Sequence, residues 1–170
     1  MKRFFFFILV LTSQIFAFHA PSFASEEKLP VNASVTVNPT FGITVTPPVI
    51  TFSGVDQGSV TGEETVVVEC MTNNNKSWAV AVNCESPLTS GEHIIPNENF
   101  LWYATTQGGG TIDEGTGHMD TAPFEFYNAG IDEYITVQPV RIDVTFKVEI
   151  PPMQAAGDYT SAVVFTMHEE

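Results

Sequence analysis

Hydrophobic residues along this chain recur at every second position, and beyond the N-terminal segment no stretch shows the three-and-four spacing of an amphipathic helix. The clearest case is RIDVTFKVEI, residues 141–150. Ile142, Val144, Phe146, Val148 and Ile150 fall on one side, and Arg141, Asp143, Thr145, Lys147 and Glu149 on the other. Successive side chains of a strand point to opposite faces, so this pattern predicts a strand with one face in a core and one in water. Pro151 and Pro152 stop it, because proline has no N–H to donate to a ladder.

A second pair of strands brackets the three asparagines in ETVVVECMTNNNKSWAVAVNCES. Val66, Val68 and Cys70 share one parity before Asn73, Asn74 and Asn75. Trp78, Val80, Val82 and Cys84 share one after them. Asparagine tolerates the left-handed conformations of tight connections. Further strands are expected at residues 33–37, 43–46, 49–52, 100–104, 123–127 and 134–137. Turn clusters rich in Gly, Pro, Asn and Ser separate them at residues 55–62, 86–91, 107–117 and 155–158. The last run, residues 159–167, alternates Tyr159, Ser161, Val163, Phe165 and Met167 with Thr160, Ala162, Val164 and Thr166. Gly157 relieves the turn before it. Tyr159 is placed to send its hydroxyl back to that connection, as a tyrosine corner does. Many short strands with such punctuation predict an all-β fold: an antiparallel Ig-like β-sandwich of about 7–10 strands, in a single domain over residues 31–170. Trp78, Tyr159 and Phe165 are expected in its core, where aromatics dominate the packing.

The N-terminus changes the compartment. Lys2 and Arg3 precede an apolar run at residues 4–18, and small residues follow at Ser22 and Ala24. That is the layout of a signal peptide, residues 1–24, cleaved after Ala24. Residues 25–30 then read as a loose leader. The chain is expected outside the cytoplasm: secreted, extracellular or periplasmic, and associated with the cell surface. In such a compartment Cys70 and Cys84 suggest a disulfide. A tight hairpin centred on Asn75 would set Cys70 opposite Val80 instead. The bridge therefore requires a wider connection centred near Ser77, or strands in facing sheets.

Charge narrows the partners. The net charge is −14, and past the expected signal peptide only Lys28, Lys76, Arg141 and Lys147 oppose the acids. Such a surface repels phosphate backbones, which excludes nucleic acid. It keeps an exported protein soluble and attracts cations or basic partners.

Taken together, the residues resemble the WxL-type domains of bacterial surface proteins. That family carries one Trp-x-Leu in an early strand and another in a terminal strand, the latter after an Ala-Gly turn and a Tyr-containing segment. Here Trp78-Ala79-Val80 stands in the first place and Phe165-Thr166-Met167 in the second. The segment ITFSGVDQGS, residues 50–59, is similar to the early strand and turn of such domains. Neither tripeptide is Trp-x-Leu itself, a departure that bears on peptidoglycan binding in particular. The resemblance implies a non-catalytic domain attached to the cell wall or surface.

Catalytic chemistry finds no motif, so an enzyme is not expected. His93, His118 and His168 are scattered, without HExxH or His-x-His spacing. No Gly-x-Ser-x-Gly elbow occurs. GGGTIDEGTGHMD, residues 108–120, lacks the lysine of a phosphate loop. Its Asp113, Glu114 and Asp120 are hard oxygen ligands suited to Ca²⁺, though their spacing matches no calcium loop. No cofactor is expected. Adjacent Trp102 and Tyr103 face opposite ways in a strand, so one of them faces solvent or a groove. With Tyr127 they are the aromatic candidates for stacking on a sugar or anchoring a partner.

The expected function is therefore that of a surface, envelope or matrix component that acts by binding or assembly. The expected partners are cell-wall or surface polysaccharide, or other envelope proteins. One alternative is a fimbria- or coat-like subunit that assembles with its own copies by strand addition. Another is a carbohydrate-binding module.

Overall fold

Strands β2 (Glu64–Thr72) and β9 (Val140–Val148) form the centre of the first sheet. They pair antiparallel, with Val66 opposite Val144 and Val68 opposite Ile142. All four of these side chains are buried, as period-two alternation requires. The outward Thr65 and Thr145 hydroxyls meet at 2.8 Å, a cross-strand bond that explains why Thr145 is buried on the polar face. This computed structural model describes residues 33–170, and its compact unit spans Val37–Glu170. The expected signal peptide and leader lie outside the described residues.

The first sheet runs β1-β2-β9-β6, with β1 at Phe41–Thr46 and β6 at Phe100–Thr106. The second runs β10-β3-β8-β7. Its strands are β3 (Trp78–Cys84), β7 (Thr111–Ile112), β8 (Phe124–Asn128) and β10 (Val163–Glu169). A small hairpin joins β4 (Leu88–Ser90) to β5 (His93–Ile95). Every pairing is antiparallel, and no helix longer than a single 3-10 turn occurs among the described residues.

One hydrophobic cluster draws on both four-stranded sheets. Trp102 of β6 meets Phe126 of β8 edge-on, with centroids 5.5 Å apart and planes at 82°. Phe165 of β10 packs on Phe126 at 6.1 Å and on Phe146 of β9 at 6.5 Å. Edge-to-face contacts of this kind add about 0.5–1.5 kcal/mol each beyond area burial. Trp78 is buried and Phe165 is partly buried against the same cluster.

Several expected strands do not form. Residues 33–37 are in no strand and are exposed, despite their alternation. A β-rich segment becomes a strand only when an edge pairs with it, and no described residue does so here. Residues 49–52 are likewise irregular, because Pro47 and Pro48 end β1 and remove two donors. Residues 134–137 form bends after the 3-10 turn Ile131–Glu133. There Thr136 caps the end of β2, its N–H donating to the Thr72 carbonyl at 2.8 Å. Conversely, β4 and β7 arise inside segments read as turns. The last strand begins at Val163 rather than Tyr159, although Thr160 makes one bridge to Thr89.

The expected disulfide is absent: Cys70 and Cys84 are both buried free thiols. Their strands lie in different sheets. Cys70 sits two residues from the β2 end beside the β2–β3 connection, whereas Cys84 closes β3, six residues beyond Trp78. At about 3.3 Å of rise per residue, that is roughly 20 Å along the strand. A bridge requires Cα atoms closer than about 7 Å. The parity that predicted two core-facing cysteines holds, but it carries no information about which end of the core each occupies.

Candidate functional site

Pro47 and Pro48 determine where the molecule opens. β1 pairs only with the later part of β2, from Phe41 opposite Thr72 to Thr46 opposite Val67. The first residues of β2, Glu64 to Val66, therefore have no neighbouring strand on that side among the described residues. Beyond the prolines, residues 49–55 run on without a hydrogen bond to another described residue, while Ile50 and Phe52 still lean on the core. In the other sheet β10 is an edge strand.

A cleft of about 1100 Å³ lies between residues 49–57 and the connection that leads into β10 at Val163. Its floor is apolar and buried: Ile95, Phe100 and Val148. Phe52, Ile150 and Val163 line its walls. The connection before β10 forms one side and is locked by a tyrosine. The Tyr159 hydroxyl donates to the Ala155 carbonyl at 2.8 Å and accepts from Gln154 Nε2 at 2.7 Å. Gln154 Nε2 also reaches the Ile94 carbonyl at 3.2 Å. The polar contribution comes from scattered hydroxyls and from Asp56 and Asp158. Such a surface suits an apolar or extended ligand whose own backbone supplies hydrogen bonds.

The edge strands are less covered than the centre. Val68, Ile142 and Val144 in the central strands are fully buried. Ile43 and Val45 of β1, and Val163, Phe165 and Met167 of β10, pack on the same core yet stay half-buried, and of these only Val163 lines the cleft.

A second feature lies elsewhere in the core and is closed. Glu133, buried at the end of the 3-10 turn, accepts from the Tyr127 hydroxyl at 2.6 Å. It also accepts from the Gly130 N–H at 2.9 Å and the Gly109 N–H at 2.8 Å. Trp78 Nε1 donates to the Glu133 carbonyl at 3.0 Å. Burial first, then the bond to Glu133, raises the Tyr127 phenol above its ordinary range. Burial, with the Glu133 charge adding to it, pushes the Cys70 thiol up to about 12. Burial also raises Cys84, opposed by a backbone hydrogen bond. Every buried polar side-chain atom of this network is hydrogen-bonded, so it organises the core.

The aromatic candidates separate. Trp102 is buried, with Nε1 donating to the His118 carbonyl at 3.1 Å. Tyr127 is buried in the Glu133 network. Tyr127 exposes no ring surface, and Trp102 keeps only 4% of its surface, beside a second cavity of about 270 Å³. Tyr103 alone is exposed, its hydroxyl donating to Glu63 Oε2 at 3.1 Å. The calcium candidates do not converge. Asp113 accepts from the Gly115 N–H at 2.8 Å, Glu114 from the Ala104 N–H at 3.0 Å, and Asp120 from the Thr121 N–H at 2.6 Å. Among the described residues no group of three or more His, Cys, Asp or Glu is placed to hold a metal. His168 Nε2 instead pairs with Glu125 at 2.8 Å.

Sequence reasoning missed the cleft. The signal available was the Pro47-Pro48 pair, which cuts β1 short of its neighbour. No protein-family model matches this chain, and no curated protein matches it.

Proposed function

We propose that this chain is a secreted, non-enzymatic subunit of a cell surface or envelope, built on an Ig-like β-sandwich, that works by binding an extended partner strand at the open cleft. The observation that carries this reading is the cleft itself, floored by buried Ile95, Phe100 and Val148 and flanked by residues 49–55, which make no hydrogen bond to another described residue. Sheet order supports the Ig-like assignment. β1-β2-β9-β6 corresponds to A-B-E-D of a constant-type domain, and β3 and β10 to C and F. The bond from Tyr159 to Ala155 just before β10 fits the tyrosine corner that precedes strand F. In that scheme a strand G would pair with the free edge of β10, and among the described residues none does. Export rests on the signal-like pattern of residues 1–24.

A second reading, attachment to cell-wall polysaccharide as the WxL resemblance implies, is supported by one pairing. Met167 stands opposite Val80, so the two motif-like tripeptides are neighbours in one sheet. The sugar-stacking reading loses Trp102 and Tyr127 to the core and retains only Tyr103.

Light scattering after size exclusion, on residues 25–170 with and without purified cell wall, separates these readings. Concentration-dependent assembly, or a complex with an envelope protein, supports strand binding. A monomer that sediments with the wall overturns it in favour of wall attachment.

A further inference from the structure

We propose that the cleft binds a strand of a different, basic protein: an extended apolar segment flanked by lysine or arginine, whose backbone pairs with residues 49–53 and whose cations meet Asp56 and Asp158. This rests on the strand-binding reading above and names the chemistry of its partner. Residues 49–53 line the cleft and belong to no strand. Their exposure nonetheless alternates. Ile50 and Phe52 are half-buried against the core, while Val49, Thr51 and Ser53 are exposed. One side in the core and one in water is the disposition of a strand. What is missing is the ladder: residues 49–53 make no backbone hydrogen bond to another described residue. An unpaired row of N–H and C=O groups is a template for an added strand.

The cleft sets the charge of that partner. Its charged side chains are Asp56, beside residues 49–55, and Asp158, on the connection into β10. No lysine, arginine or histidine lines it among the described residues. Both aspartates are exposed, and neither forms an ion pair among the described residues. The net charge of −14 deepens the negative field around them. The floor of Ile95, Phe100 and Val148 is apolar and buried. Two carboxylates beside an apolar floor complement an apolar strand with cationic flanks and repel one with acidic flanks.

The same chemistry argues against a second copy of this chain. Past the expected signal peptide its cations are Lys28, Lys76, Arg141 and Lys147. Lys28 follows directly on Glu26 and Glu27. Lys76 pairs with Glu169 at 2.7 Å, and Arg141 with Asp143 at 2.9 Å. Arg141 and Lys147 lie in β9, which β2 and β6 flank on both sides. Residues 33–37 are exposed and outside the sheets, but they carry no charge. No described segment outside the sheets offers an apolar run with cationic flanks, so the partner is a different protein.

The test titrates residues 25–170 with the synthetic peptide KVTVTVK and with its acidic counterpart EVTVTVE, both dye-labelled. Fluorescence anisotropy gives Kd, and hydrogen exchange reads the amides of residues 49–53. The expected result is that KVTVTVK binds roughly tenfold more tightly than EVTVTVE. Its binding weakens as salt rises, and it slows exchange at residues 49–53. In the Asp56→Asn, Asp158→Asn variant the preference between the peptides disappears. Both substitutions are exposed and break no ion pair among the described residues, and an unchanged far-ultraviolet spectrum verifies folding. Equal or reversed affinities, with protection at residues 49–53, overturn the basic partner and leave the strand-binding reading in place. A preference for KVTVTVK that survives in the variant puts the cations elsewhere on the acidic surface and also overturns this inference. Failure of both peptides to slow exchange at residues 49–53 overturns the inference together with strand binding at this cleft.

Discussion

The hydroxyl of Tyr127 donates to the buried carboxylate of Glu133 at 2.6 Å, across the turn that follows β8. The same carboxylate holds the N–H groups of Gly109 and Gly130. One side chain thereby ties the glycine-rich loop, the 3-10 turn and strand β8 together. Removing a partner of a buried charged group costs about 1.5–3 kcal/mol, because the remaining group keeps its desolvation penalty. Tyr127→Phe is expected to destabilise by about that amount. Glu133→Ala is expected to cost more, since it strands two backbone donors as well as the phenol. Urea denaturation measures both, as a lower midpoint at unchanged slope. Equal stability of Glu133→Ala and the unsubstituted protein would show that the network does not hold this end of the fold.

Tyr159 makes a smaller and more local contribution. Its hydroxyl links Gln154 and Ala155 on the wall of the cleft. Tyr159→Phe removes neutral hydrogen bonds worth about 1 kcal/mol net. For a domain of this size that corresponds to a fall in Tm of roughly 2–4 °C. Proteolysis in the connection before β10 should also accelerate, because the bond from Tyr159 spans that connection. A fall in Tm with no change in cutting would place the effect in the core instead of the wall.

The two thiols give a sharper test. Both are buried, and each side chain sits at a different end of the core. A thiol reagent at neutral pH is expected to modify neither in the folded chain and both after denaturation. Reductant should leave the melting temperature unchanged. Recovery of an intramolecular Cys70–Cys84 bridge from native protein would require β3 to shift by most of its length, and would overturn the strand order described here.

Alternation was legible wherever a strand is flanked by partners. In β2 and β9 the parity of Val66, Val68, Ile142 and Val144 marked the buried face, because both neighbours exist within the chain. It misled at residues 33–37 and 49–52, where the same pattern lacks a pairing edge among the described residues. Period two specifies a face and leaves the partner open. The aromatic candidates failed for a related reason. Trp102 and Tyr127 have polar atoms that suggest a wet site, but His118 and Glu133 satisfy those atoms inside the core. His118 lies 16 residues from Trp102, and Glu133 lies six from Tyr127 across a turn, so strand alternation indicates neither partner. The cleft was hidden because it results from where β1 stops relative to β2, a matter of register that depends on long-range pairing.

High pH should unfold this protein through the groups that its core keeps protonated. Burial raises Cys70, Cys84 and Tyr127 above their ordinary values, Cys70 to about 12 from 9.0. Each therefore holds its proton more tightly folded than unfolded. Between those two values the unfolded chain has already lost the proton that the folded chain retains, so unfolding releases protons and rising pH favours it. The stability contributed by Cys70 is fully present below about pH 9 and is lost progressively up to about pH 12. Denaturant titrations at pH 8, 9, 10 and 11 should show a midpoint that falls steadily across this interval. Cys70→Ala removes one titrating group. It should lower the midpoint at pH 8, where it leaves a small cavity, and flatten the decline above pH 9. A decline as steep in the variant as in the parent would transfer the alkaline sensitivity to Tyr127 and Cys84, and the corresponding Tyr127→Phe titration would then carry the flatter slope.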